Sequence, residues 1–74
     1  MEGLLPTLKE LRQEAGMSAR QLEQASGVGI RTIFRAEAGR QSINYSTAMK
    51  LLTALGEKLG RTIFISEVDD LRVQ

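Results

Sequence analysis

The stretch Ser18-Ala-Arg-Gln-Leu-Glu-Gln-Ala-Ser-Gly27-Val-Gly-Ile30-Arg-Thr-Ile-Phe-Arg-Ala-Glu37 decides how this chain folds. It reads as two short helices hinged at Gly27, where a left-handed backbone can end the first helix without the clash a Cβ would bring. Ser18 stands at the N-cap position, its side-chain oxygen suited to accept from a first-turn amide. Leu22 and Ala25 turn inward on the first of the two helices, Ala19 to Ser26. Ile33 and Ala36 do so on the second, Ile30 to Ala38, with Val28 plugging the turn between them. Arg31 and Arg35 then fall one turn apart on a single face of the second helix.

Working outward, the same punctuation recurs. Gly16, Gly39 and Gly56 each follow a segment of helical period. A helix is expected from about Pro6 to Ala15, with proline in its first turn and Leu8, Leu11 and Ala15 as an inward stripe. Another begins near Tyr45, capped by Asn44 or Ser46, with Ala48, Leu51, Leu52 and Leu55 as its apolar face. After Gly60 the period changes. Arg61-Thr-Ile-Phe-Ile-Ser66 is rich in β-branched and aromatic residues, with Ile63 and Ile65 on one face and Thr62, Phe64 and Ser66 on the other, which predicts a strand. A lone strand leaves its backbone groups unpaired, so the same strand of a second copy is the simplest partner. The expected architecture is mainly α: a bundle of four to five helices over residues 1–60, then a strand and acidic tail over 61–74 that serve dimerisation.

Length and composition narrow the function. With 74 residues there is room for one domain, and a chain of this size buries only about 60% of its unfolded surface. There is no cysteine and no histidine, so disulfides, thiolate metal sites and the commonest general base are all missing. The carboxylates show no acid/base spacing, and neither an enzyme nor a cofactor or metal is expected. No signal peptide or membrane-spanning run is expected either, which predicts a cytoplasmic protein. Net charge is only +1, but its distribution is uneven. Arg20, Arg31, Arg35 and Arg40 face only Glu23 and Glu37 in the middle, whereas Glu67, Asp69 and Asp70 outnumber Arg61 and Arg72 in the tail. A basic middle suits phosphate. Two helices joined by a short glycine turn, the second one basic, are how small domains enter the major groove of duplex DNA.

Leu11-Arg12, Gly16, Ser18, Leu22, Gly27-Val28, Thr32-Ile33, Glu37, Gly39, Leu51-Leu52 and Ala54-Leu55-Gly56 together form a frame. This frame resembles the phage repressor/Cro type (XRE-like) of helix-turn-helix domain over about residues 5–56. The resemblance implies a homodimeric, sequence-specific DNA-binding transcriptional regulator, a repressor, with residues 30–38 as the recognition helix. It implies base contacts from Ile30, Arg31 and Arg35, and phosphate contacts from Ser18, Ala19, Thr32, Arg40, Gln41 and Ser42. It also implies a structural ion pair between Arg12 and Glu37. Two positions depart from the pattern. Glu23 stands where the family prefers alanine for close helix packing, and a strand replaces the usual fifth helix. A strand after such a bundle is similar to one group of antitoxins, which bind a toxin as well as their own operator; that, or a protein-interaction module on the same fold, is the alternative.

Each of these residues also has a plainer reading. Arginines four apart are often a solvated face, although the guanidinium fork matches O6 and N7 of guanine. Ile30 suits a thymine methyl group or an exposed helix start. Phe34 should point outward, where it could stack on a neighbour, touch a thymine methyl group, meet a partner or simply be exposed. Leu59, Ile63, Phe64 and Ile65 are the expected dimer surface, and Tyr45, Phe34 or the acidic tail would meet a toxin.

Overall fold

Four helices and one 3-10 turn order the chain: α1 (Leu8–Glu14), α2 (Ala19–Ser26), α3 (Ile30–Ala38), α4 (Tyr45–Leu59) and the turn Ile65–Glu67. The structure, a computed structural model, describes residues 5–38, 42–69 and 73. The starts of α1, α2 and α4 are explained by their local sequence. Thr7 caps α1 as a capping box: its hydroxyl accepts from Glu10 N–H (3.1 Å) while the Glu10 carboxylate accepts from Thr7 N–H (2.9 Å). Pro6 therefore lies just outside the helix and not in its first turn. Ser18 and Gln21 repeat the box at α2, with distances of 3.1 and 2.8 Å. Asn44, not Ser46, caps α4 by accepting from Thr47 N–H at 2.8 Å.

Helix ends follow glycine where the chain must turn left-handed. Gly27 has φ 75° and Gly60 has φ 77°. Gly56 plays a different part from the one its position in the sequence suggests, because α4 runs through it to Leu59. The returning chain crosses close above, where a Cβ on Gly56 would run into the Arg61 carbonyl oxygen. The amides of Gly60 and Arg61 both donate to the Gly56 carbonyl, at 2.8 and 3.0 Å.

The core is built from one face of every helix. Leu8, Leu11, Leu22, Ile33, Leu51, Leu52 and Leu55 are its largest fully buried members, and Val28 fills the α2–α3 turn. α2 packs against both α3 and α4, and α1 packs against α3 and α4. Ala25, expected inward, is exposed; Ala19 and Leu22 carry the buried face of α2 instead. The stripe continues to Ser26, four residues after Leu22, whose hydroxyl donates to the Leu22 carbonyl (2.6 Å) and accepts from Val28 N–H (3.2 Å).

The strand expected over residues 61–66 does not form; among the described residues there is no strand. Phe64 has the extended backbone (φ −97°, ψ 151°) that this composition favours, but the described part of the bundle offers no sheet edge to join. Phe64 N–H donates instead to the Glu67 carboxylate (3.3 Å), and Val68 N–H donates to the Ile65 carbonyl (3.1 Å). The chain thus turns so that Ile63 and Val68 both reach the core. Beyond the turn, Asp69 N–H donates to the Pro6 carbonyl (2.8 Å), and single parallel bridges join Thr7 to Asp69 and Ile43 to Val73.

Candidate nucleic-acid interface

α3 divides its residues sharply between two faces. Ile33 and Ala36 are buried, whereas Arg31, Phe34, Arg35 and Ala38 are exposed. At 3.6 residues per turn those four span one outward strip about 100° wide. Arg31 and Arg35 make no ion pair among the described residues. Two guanidinium forks with no partner among the described residues thus lie a turn apart on the face turned from the core. Such forks can engage paired acceptors, the O6 and N7 of guanine or two phosphate oxygens. Ile30, at the start of the helix, is half-buried and packs against the core.

The helix that carries this strip is fixed at both ends by carboxylates. At its start Gly29 has no side chain to offer as a cap. The Glu23 carboxylate reaches across the turn from α2 and accepts from Ile30 N–H at 3.0 Å. That contact accounts for an acidic residue at a position expected to hold alanine: the side chain leaves the helix contact and caps the neighbouring helix. Nothing in the spacing of Glu23 and Ile30 signals it. Toward its other end, Glu37 meets Arg12 of α1 through two bonds, Nε to Oε2 at 2.6 Å and Nη2 to Oε1 at 3.2 Å. Arg12 also donates to the Met17 carbonyl (3.1 Å), tying in the α1–α2 turn. This pair faces inward, with side chains only 13% and 7% exposed.

The other expected contact residues are spread around this helix. Ser18 is exposed at the start of α2, its backbone amide already taken by Gln21. The Ala19 side chain is buried, so only its backbone could meet a phosphate. Thr32 is half-buried and Ser42 exposed; Arg40 and Gln41 lie outside the described residues. Of the residues expected at a dimer surface, Ile63 is buried in the chain's own core, and Leu59 and Ile65 are half-buried against it. Phe64 is 60% exposed. Among the described residues no cluster of His, Cys, Asp or Glu is arranged to hold a metal ion. No described helix is long and apolar enough to cross a membrane.

The chain matches the helix-turn-helix family over residues 8–61. It is 44% identical over 55 residues to a Haemophilus influenzae protein described as an HTH-type transcriptional regulator. That match takes in 70% of this chain and 56% of the relative, so the chain spans little more than half the relative's length. No solved structure matches it. The family match covers all four helices, including both helices about Gly27 and the buried residues that lock them. The chain belongs to the repressor/Cro-type, XRE-like helix-turn-helix family.

Proposed function

We propose that this chain is a sequence-specific DNA-binding transcriptional regulator, a cytoplasmic repressor that acts as a homodimer with α3 in the major groove. The observation that carries this reading is the pair Arg31 and Arg35, exposed together on the outward strip of a helix whose inner face is locked in the core. The relative's description as a transcriptional regulator supports it. Arg31, Arg35 and Ile30 read base edges, while Ser18, the Ala19 amide, Thr32, Arg40, Gln41 and Ser42 fix register on the phosphates. Arg12 and Glu37 hold the helix and touch no DNA. The protein performs no catalysis and needs no cofactor.

The dimer places two copies of α3 about 34 Å apart, one turn of DNA. Its surface comprises the end of α4 and the chain after it, with Phe64 as the most exposed apolar group and Leu59, Ile63 and Ile65 beneath it. Exchanging Phe64 for Asp should yield monomers in sedimentation while leaving the fold intact, because most of that residue is exposed.

Selection of bound duplexes from a random pool, followed by titration of variants, tests the reading. Arg35→Ala should cost about 1–3 kcal/mol and relax preference at one base position. Arg40→Ala should weaken all sequences alike and reduce the salt slope by about one. Specific and random duplexes bound equally well by parent and both variants would sink the groove assignment. The antitoxin alternative adds a toxin at Tyr45 (59% exposed), Phe34 or the acidic tail; recovery of a toxin with the native protein would favour it.

A further inference from the structure

We propose that Phe34 is a specificity-determining residue that contacts the 5-methyl group of a thymine in the operator. The inference rests on the DNA-binding reading above and goes beyond its arginine contacts. Phe34 is 51% exposed in the middle of α3, the helix whose Ile33 and Ala36 are buried. Its neighbours on the outward strip are Arg31, three residues before it, and Arg35, one after. At about 100° and 1.5 Å per residue, Phe34 stands about 60° around the helix from Arg31 and about 4.5 Å along it. That displacement is close to one base-pair step of about 3.4 Å. If Arg31 lies against one base pair, the Phe34 ring lies against the next.

The chemistry of that place selects the contact. In the major groove, base edges present hydrogen-bond donors and acceptors at nearly every position, and the thymine methyl group is the one apolar projection. A phenyl ring over a donor or acceptor would strip it of water and return nothing. Over a methyl group the ring removes apolar surface on both sides from water. The flanking charges favour DNA over a protein as the occupant, because a protein laid on this strip would have to pair or bury two guanidinium groups with Phe34. Phosphates and guanine edges accept them directly.

Deoxyuridine provides the test, since it lacks only the methyl group and keeps every hydrogen-bonding edge of thymine. In the best duplex from the selection, each thymine of a half-site is replaced in turn, and binding is titrated at fixed salt. One position should lose about three- to tenfold in affinity, the range expected for one buried methyl group. Phe34→Ala should lose a similar factor on the thymine duplex and no longer distinguish thymine from uracil there. Its melting temperature should stay at the parent value, which keeps loss of contact separate from loss of fold. Specific binding that is indifferent to uracil at every position overturns this proposal and leaves the DNA reading standing. Thymine discrimination that survives in Phe34→Ala also overturns it, by assigning the methyl contact to another side chain. Failure of the parent to prefer any duplex removes the DNA reading and this proposal with it.

Discussion

Removing the Glu37 carboxylate should unfold this domain at temperatures where the parent is stable, and the geometry around Arg12 gives the size of the effect. The pair makes two bonds, at 2.6 and 3.2 Å, and its side chains are 13% and 7% exposed. In Glu37→Ala the guanidinium stays largely enclosed with one carbonyl, that of Met17, as its remaining partner. Leaving one member of a buried pair behind costs about 3–5 kcal/mol. A chain of 74 residues has only roughly 4–11 kcal/mol of total stability at typical values per residue. The loss therefore takes between a quarter and all of it, or about 12–40 °C in Tm at about 4–8 °C per kcal/mol. Arg61 and Glu67 are a useful contrast. They lie 3.7 Å apart with side chains 45% and 40% exposed, and such exposed pairs are worth about 0–1 kcal/mol. Replacing both partners, Arg12→Met with Glu37→Leu, should restore much of the stability, because no uncompensated charge is left. Calorimetry or thermal melting followed by circular dichroism measures the parent and both variants. A fall of less than about 4 °C in Glu37→Ala, or a double variant no better than the single one, would refute the reasoning.

Four more substitutions probe the caps and the close backbone contact of the fold. Glu23→Ala should cost about 0.5–2 kcal/mol, the usual value of a lost N-cap, and weaken specific duplex binding more than random binding. Glu23→Gln keeps an acceptor for Ile30 N–H and should retain most of both; titrations on the two duplexes check it. Gly56→Ala would ordinarily stabilise a helix interior by about 0.5–1 kcal/mol, but here the new methyl group meets the Arg61 carbonyl. A loss of about 1–3 kcal/mol is expected, and an increase in Tm would show that the chain after Gly60 moves aside freely. Gly27→Ala forces a Cβ into a left-handed cap and should cost about 1–2 kcal/mol in denaturant unfolding.

The helices about Gly27 were legible because their signals are local and agree with one another. A cap, the inward residues Leu22, Ile33 and Ala36 and a left-handed glycine fall at the right offsets, although Ala25 does not turn inward, and the bounds Ala19–Ser26 and Ile30–Ala38 come directly from them. Local preference misleads where a distant contact outweighs it. Gly56 looks like a stop signal, yet its absent side chain serves the close passage of Arg61. Residues 61–66 have the composition of a strand, but a β-branched run favours an extended backbone without supplying a neighbour to pair with. Arg12 and Glu37 are 25 residues apart and were linked only through the resemblance. Glu23 and Ile30 had no such guide, since their bond depends on how α2 and α3 cross.

These contacts also explain how a nine-residue helix can present a defined surface. A helix of that length is marginal by itself in water, so the position of α3 depends on what holds it. Ile33 and Ala36 anchor its inner face, Glu23 caps its first amide, and Glu37 ties its last turn to α1. None of these groups belongs to the strip formed by Arg31, Phe34, Arg35 and Ala38. Substitutions away from buried features typically change stability by no more than about 0.5 kcal/mol, so the strip can be rewritten while the helix stays where it is. Variants at Arg31, Phe34 and Arg35 should therefore melt with the parent and differ in which duplex they select. Above its lowered Tm, Glu37→Ala should instead lose every duplex together, because the surface itself is lost with the fold.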